Sequence, residues 1–142
     1  MRAILSFAVA LGVVATGLAG LSRPTSAAEP ASSKVYELRI YKTNPGKLQA
    51  LHARFRDYTC PLFKKHGIEV VGFWTLIEGD EATGTLYYIV TFPNVEAQKK
   101  AWDAFKNDPE WKKAKADSEK DGALVKEVTS KNMKATDYSP IR

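Results

Sequence analysis

The sequence predicts an α+β fold of the ferredoxin-like type, in which a four-stranded antiparallel sheet carries helices on one face. Segments rich in β-branched and aromatic residues alternate with segments whose apolar residues recur every three or four positions. These segments follow the order β-α-β-β-α-β, which is the split βαβ arrangement. Turns that contain glycine or proline separate most of them, so the strand and helix boundaries are well marked.

The first 28 residues have the layout of an export signal and are set apart from the fold. A positive start at Met1-Arg2 precedes an uncharged apolar run, Ala3–Leu21, and small residues at Ala27 and Ala28 suit a signal peptidase. We predict cleavage after Ala28, with Ala27 as the near alternative, and a periplasmic or secreted protein with no stable membrane insertion. An uncleaved anchor is the competing interpretation, because roughly 20 apolar residues span a bilayer. A short polar leader, residues 29–34, then precedes one domain, residues 35–142.

Composition argues against nucleic acid as a partner. The formal net charge is +5, and removal of the signal takes away Arg2 and Arg23. The lysines of the second half are interleaved with acidic residues, which is typical of a solvated helix face. Cys60 is the only cysteine, so no internal disulfide forms and the domain depends on its apolar core.

The first half of the domain predicts one strand and one long helix. Val35–Lys42 alternates apolar and polar residues, as a strand does. A helix follows from about Lys47 to Lys65, and Pro61 within it predicts a kink near Thr59–Pro61. The helix ends at His66-Gly67, with glycine after the last turn.

The second half predicts three strands and two helices. Residues 78–84 read as a hairpin loop between two of the strands. The predicted elements are the strands Glu69–Ile77, Thr85–Phe92 and Ala123–Ser130 and the helices Val95–Lys106 and Glu110–Ser118.

The second and third strands carry apolar residues on both faces, which a sheet with one face in water does not need. Helices cover only one face, and the other would exceed the apolar patch that a monomer usually exposes. We therefore predict a homodimer in which two sheets pack face to face. The alternative is a monomer covered by its own tail, Lys131–Arg142.

Several short segments resemble the NIPSNAP family, and the similarity extends from Val35 to about Pro140. The segments are Val35-Tyr36-Glu37-Leu38-Arg39-Ile40-Tyr41, Pro45-Gly46-Lys47-Leu48, Lys65-His66-Gly67, Val71-Gly72-Phe73-Trp74 and Asp108-Pro109-Glu110-Trp111. The resemblance implies a ferredoxin-like protomer of the dimeric α/β-barrel group, with two sheets around a cavity. Eukaryotic members are mainly mitochondrial, so their roles are not carried over to an exported protein. The wider group includes cofactor-independent monooxygenases.

The candidate site is a set of polar residues on the first strand. Glu37, Arg39 and Tyr41 share one face, and we expect Leu38 and Ile40 to face the helices, which turns the polar set toward the dimer cavity. One interpretation is a structural Glu–Arg pair with Tyr41 as packing. The other is a pocket in which Arg39 binds an anionic or carbonyl-bearing ligand while Glu37 and Tyr41 orient it or move a proton.

Trp74 and Tyr88 are the candidate apolar walls of this cavity, although the pattern does not settle which face each occupies. The sequence predicts no metal site, because His52 and His66 are about 21 Å apart along a helix, and no cofactor-binding motif. The predicted function is a homodimer that binds a small, partly apolar ligand. The alternatives are a cofactor-independent, monooxygenase-like enzyme and a non-catalytic interaction protein.

Overall fold

The computed structural model describes residues 34–141, so the predicted signal and residues 29–33 lie outside the described residues. The elements follow the predicted order. They are β1 (Val35–Thr43), α1 (Leu48–Arg54), a π-helical turn (Phe55–Thr59), α2 (Cys60–Lys65), β2 (Glu69–Trp74), β3 (Thr85–Phe92), α3 (Val95–Asn107), α4 (Pro109–Ser118) and β4 (Val125–Met133).

The four strands form one antiparallel sheet in the order β2-β3-β1-β4. This confirms the predicted fold class, an antiparallel four-stranded sheet with helices. In the register of the two central strands, Arg39 lies opposite Tyr88, and on the other side Arg39 lies opposite Ser130. Four strand boundaries differ from the prediction. β1 ends at Thr43 rather than Lys42, and β2 ends at Trp74 rather than Ile77. β4 runs over Val125–Met133 rather than Ala123–Ser130.

The kink predicted near Pro61 takes the form of the π-helical turn at Phe55–Thr59. Proline has no N–H to donate and its ring crowds the preceding turn, so a widened turn before it relieves both problems. The Thr59 hydroxyl donates to the Arg54 carbonyl within this turn at 3.3 Å. The helical segment then continues as α2, which ends at Lys65. Gly67 follows in the turn after the helix, with a φ of +69°.

Two capped helices complete the helical layer: α3 contacts β1 and β4, and α4 packs against α1 and α3. The side chain of Asn94 accepts a hydrogen bond from the Ala97 N–H at 2.8 Å and begins α3. Asp108 begins α4 by accepting from the Glu110 N–H at 2.7 Å. The other carboxylate oxygen of Asp108 lies 2.7 Å from His66 Nε2, so this one side chain ties the end of α2 to the start of α4.

The two faces of β1 are the reverse of those predicted. Glu37 accepts hydrogen bonds from Gln98 and Trp102, both on α3, so the polar side chains face the helices. By alternation, Leu38 and Ile40 lie on the opposite face, which we call the helix-free face. The expectation that Glu37, Arg39 and Tyr41 point away from the helices is therefore wrong. The hydrogen-bond donors of α3 and β4, which strand alternation alone does not reveal, make burial of this polar set favourable.

No helix within residues 34–141 is long and apolar enough to cross a membrane.

Candidate functional site

Glu37 is held by four hydrogen bonds that join three parts of the fold. Its Oε1 accepts from Arg39 Nη1 at 2.7 Å and from the Ser130 hydroxyl of β4 at 2.5 Å. Its Oε2 accepts from Gln98 Nε2 at 2.7 Å and from Trp102 Nε1 at 2.6 Å. The side chain is 3 % exposed, so its charge is compensated almost entirely by these neighbours.

This environment keeps Glu37 ionised. Burial by itself raises the pKa of the carboxyl group, but the hydrogen bonds, with those from Ser130 and Gln98 foremost, outweigh burial and lower the pKa below its ordinary value. A carboxylate with all its acceptor sites in use and a lowered pKa is a poor proton acceptor. Glu37 is therefore an organising residue in this structure.

Arg39 is fixed in place by its neighbours. Its Nη2 donates to the Tyr41 hydroxyl at 3.1 Å, in addition to the ion pair with Glu37. The guanidinium carbon lies 4.5 Å from the ring centroid of Trp102, a cation–π distance. The geometry thus contains the structural Glu–Arg pair and also presents a preorganised guanidinium at a cleft.

Tyr88 lies beneath this group at the centre of the aromatic core. Its ring centroid lies 5.3 Å from that of Tyr41 and 5.2 Å from that of Phe55. The hydroxyl is buried and has no hydrogen-bond partner within residues 34–141. Burial raises the pKa of Tyr88 well above its ordinary value; Tyr41 adds to the rise and Arg39 partly offsets it. Tyr88 is accordingly a neutral core residue that packs behind Tyr41. It is fully buried and, like Trp74, is not among the residues that line the cleft described next.

A cleft of about 460 Å³ opens between β1 and the helices α3 and α4. This volume is in the range of small-molecule sites. Arg39 and Tyr41 form its floor, and Trp102, Phe105 and Trp111 form an aromatic wall. The remaining lining residues within the described part of the chain are Val95, Gln98, Lys99, Asp103, Lys106 and Lys115.

The structure brings Glu37, Arg39, Tyr41 and Tyr88 together but places Trp74 elsewhere. Trp74 is at the end of the edge strand β2, opposite Tyr87, and is 50 % exposed. It lies on the helix-free face because the preceding residue, Phe73, packs against Phe55 of the helical layer at 5.5 Å. Trp74 is therefore not a wall of the cleft.

Sequence reasoning missed most residues of the polar network. Gln98, Ser130 and Asn132 complete it, and Gln98 and Asn132 form a reciprocal amide pair at 2.8 and 3.0 Å. The available signal was the spacing of Gln98 and Trp102, which lie four residues apart and so share a face of α3. On β4, Asn132 lies opposite Glu37 and Ser130 lies opposite Arg39. This relationship is visible only once the register of the two strands is known.

A second cavity of about 280 Å³ lies on the helix-free face, next to the C-terminal end of β4. It is lined by Tyr36, Val71 and Ile89 of the sheet and, at the end of β4 and beyond, by Met133, Lys134, Ala135, Thr136, Ser139 and Ile141. The tail thus covers one end of this face. Leu38 and Ile40 lie in the middle of the face, and Trp74 at its edge.

Cys60 lines a smaller cavity of about 250 Å³ with His52, Phe55 and Phe73 among its neighbours. Burial raises the pKa of the Cys60 thiol, which makes it a weaker nucleophile at neutral pH than an exposed cysteine. In the part of the chain that the structure describes, no three acidic, histidine or cysteine side chains are grouped so as to hold a metal ion.

Comparison with solved structures finds the same fold in bacterial proteins. A NIPSNAP family protein of unknown function from Agrobacterium tumefaciens is 23 % identical, with a TM-score of 0.67, and the match covers 77 % of this chain and 94 % of that one. An uncharacterised NIPSNAP-like domain protein from Burkholderia xenovorans is 15 % identical, also with a TM-score of 0.67, over 77 % and 90 % of the two chains.

A more distant likeness is to SnoaB, a cofactor-independent oxygenase from Streptomyces nogalater. It is 14 % identical, with a TM-score of 0.51, and the match covers 75 % of this chain and 97 % of that one. At this identity the likeness is one of fold. None of the curated proteins matches the chain. The NIPSNAP family model matches residues 36–140, which include every described helix, the cleft and the sheet apart from its first residue, Val35. The chain therefore belongs to the NIPSNAP family.

Proposed function

We propose that this protein binds a small, partly apolar ligand in the cleft between β1 and the helices α3 and α4. The observation that carries the proposal is the combination of an aromatic wall with a fixed guanidinium at one cavity of about 460 Å³. Apolar walls supply affinity through buried area, and a few placed polar groups supply orientation.

The Glu37 network supports this proposal because it holds the cleft ready before a ligand arrives. Arg39 is held by its bonds to Glu37 and Tyr41 and by the Trp102 ring. A side chain that is already ordered loses little further conformational entropy on binding, so its contacts contribute more to affinity.

We also propose that two copies associate through the helix-free face. With Glu37, Arg39 and Tyr41 on the helix side, the apolar Leu38 and Ile40 are left on a face that no helix covers. The half-exposed Trp74 lies at the edge of the same face, two strands away. Burial of large apolar side chains contributes about 1.5–3 kcal/mol each. In such a dimer each protomer keeps its own cleft, rather than sharing the cavity between the sheets that the sequence predicts.

Export to the periplasm or the medium remains part of the proposal and rests on the signal-like residues 1–28. N-terminal sequencing of the protein recovered after expression with its signal tests it. A mature chain that begins at Glu29 is expected. Recovery of a membrane-bound chain that still begins at Met1 would contradict export by cleavage.

The geometry gives less support to cofactor-independent oxygenase chemistry. That reaction class needs a group that takes a proton from the substrate, and the Glu37 carboxylate is already occupied by four donors. The carboxylate that lines the cleft, Asp103, is paired with Lys106. The Tyr41 hydroxyl accepts a hydrogen bond from Arg39. A non-catalytic interaction protein that acts only through its surface would not require a preorganised cleft, so this alternative is also less well supported.

The direct test of the proposed function is the binding of an uncharged aromatic probe. N-phenyl-1-naphthylamine fluoresces when it leaves water, and we expect saturable binding by the purified protein. Val95 lines the cleft and is 62 % exposed, so Val95→Phe narrows the cleft with little effect on the core. We expect this variant to bind the probe several-fold more weakly than the wild type.

Ala50→Phe is the matched control, because Ala50 is exposed on α1 and lies away from the cleft. It should bind the probe as the wild type does. If the wild type shows no saturable binding, or if both variants bind as the wild type does, the cleft is not the binding site.

A further inference from the structure

We infer that the ligand of the cleft is an aromatic anion whose charge is recognised by Lys99 and Lys115 rather than by Arg39. The inference rests on the proposed function and deepens it, because it names the chemical class of the ligand and the residues that select it. It follows from the distribution of compensated and uncompensated charge around the cleft.

Arg39 does not supply a net positive charge to the cleft. Its Nη1 lies 2.7 Å from Oε1 of Glu37, so the two side chains form a neutral pair. Arg39 also donates to the Tyr41 hydroxyl, which occupies a second of its donors. A guanidinium has five N–H donors, so hydrogen bonding to a ligand remains available to Arg39, but selection for charge has to come from other residues.

The rim of the cleft carries that charge. Lys99, Lys106 and Lys115 all line it, and the one carboxylate among the described lining residues is Asp103. Asp103 lies 3.5 Å from Lys106 and offsets its charge. Lys99 and Lys115 have no acidic partner within residues 34–141, so two positive charges on the rim are uncompensated. Both side chains are exposed, so their attraction for a bound anion is long-ranged but sensitive to salt.

The wall favours a flat ring system. The ring centroids of Phe105 and Trp111 lie 4.6 Å apart with an interplanar angle of 33°, and Trp102 continues the wall at 5.9 Å from Phe105. Flat aromatic molecules stack on such surfaces in offset or tilted geometry. A cavity of about 460 Å³ is large enough for a molecule of two or three fused rings.

The test compares two probes of nearly the same shape that differ in charge. The probes are 2-naphthoate, an aromatic carboxylate, and 2-naphthamide, its neutral counterpart, both titrated calorimetrically into the purified protein at low ionic strength. We expect the carboxylate to bind at least about tenfold more tightly, with a difference that shrinks as salt is added, because salt screens charges at a solvent-exposed rim.

The double variant Lys99→Gln with Lys115→Gln should lower the affinity for 2-naphthoate about tenfold and leave that for 2-naphthamide unchanged. The matched control is Lys100→Gln with Lys112→Gln. It removes the same number of charges from the same two helices at exposed positions outside the lining.

The outcomes separate this inference from the proposed function. If the protein binds N-phenyl-1-naphthylamine but does not distinguish the two naphthalene probes, the cleft binds ligands and the inference about charge is overturned. The inference also fails if the control variant weakens 2-naphthoate binding as much as the rim variant does. If none of the three probes binds, the proposed function fails as well.

Discussion

The indole Nε1 of Trp102 donates a 2.6 Å hydrogen bond to Oε2 of Glu37 and thereby connects helix α3 to strand β1. The same indole ring lies under the guanidinium of Arg39 at 4.5 Å. One side chain of α3 therefore holds both members of the Glu37–Arg39 pair. The position of the guanidinium at the cleft depends on how α3 packs on the sheet.

Trp102→Phe tests the contribution of this hydrogen bond. The variant keeps an aromatic ring but leaves one acceptor site of a buried carboxylate unsatisfied, which costs about 1–3 kcal/mol. We expect a loss of that size in the free energy of unfolding, measured with urea at pH 7. Trp111→Phe is the matched control, since it also replaces an indole in the wall but removes no bond to Glu37. Equal losses in the two variants would show that the bond contributes nothing.

The Glu37 network predicts a stability that falls in acid. The pKa of Glu37 is lowered in the folded protein, so its contribution is present above its unfolded pKa, about 4.3, and is lost as the pH falls through the folded pKa. Glu37→Gln should be less stable than the wild type at pH 7 but should lose less on acidification. Thermal unfolding between pH 7 and pH 2 measures both effects. Glu78→Gln, at an exposed carboxylate in the loop between β2 and β3, should follow the wild type.

Asp108 adds a second acid-sensitive contact. Hydrogen bonds from Lys65 and His66 lower the pKa of Asp108 far below its usual range. Because the folded pKa is lowered, as for Glu37, the Asp108 carboxylate contributes fully to the free energy of unfolding above about pH 4. That contribution declines as the pH falls further. Asp108→Asn keeps a side chain that can begin α4 but loses the ion pairs. We expect its unfolding temperature to be lower than that of the wild type at pH 7 and to converge with it in acid. If the two unfolding temperatures differed by the same amount from pH 7 to pH 2, the role of the Asp108 charge would be contradicted.

Order and class of the elements were predictable from the sequence, because strand alternation, helical periodicity and turn residues are local signals. The faces of β1 were not. Alternation alone predicts that the apolar Leu38 and Ile40 face the core, yet Glu37, Arg39 and Tyr41 occupy the core side of β1. That arrangement depends on donors distant in sequence, Gln98 and Ser130, which only tertiary packing brings together. The cleft was missed for the same reason, since its lining combines β1 with α3 and α4.

Gly72→Ala tests the use of the helix-free face. A Cβ at this position would lie 2.7 Å from the end of the Trp74 ring, so the ring has to move. Because Trp74 is half exposed, this movement costs the protomer little, but it changes the surface that we propose for the dimer. At protein concentrations low enough for the protein to be monomeric, we expect the unfolding transition to be nearly unchanged. At higher concentrations, sedimentation velocity should show a larger dimer dissociation constant than that of the wild type. At Gly84 the nearest atom is 3.8 Å away, and Gly84→Ala should leave the dimer intact.

Gly67→Ala tests the end of the long helix. Gly67 has a φ of +69°, and the Ile68 N–H donates to the Phe63 carbonyl at 2.9 Å across it. An L-residue in this conformation costs about 1–2 kcal/mol. The loss should appear in urea unfolding at pH 7. Ala53→Gly, in the last turn of α1 where the helical segment continues into the π-helical turn, should lose about 1 kcal/mol through helix propensity alone. A Gly67→Ala protein as stable as the wild type would contradict the left-handed cap.

The cleft itself is tested most directly by the indole N–H signals of the three tryptophans in a ¹⁵N–¹H spectrum during titration with 2-naphthoate. Trp102 and Trp111 line the cleft, whereas Trp74 lies on the opposite face of the sheet and serves as an internal reference. We predict saturable shifts for Trp102 and Trp111 and an unchanged signal for Trp74. Shifts confined to Trp74, or no saturable shift of any indole signal, would contradict the account.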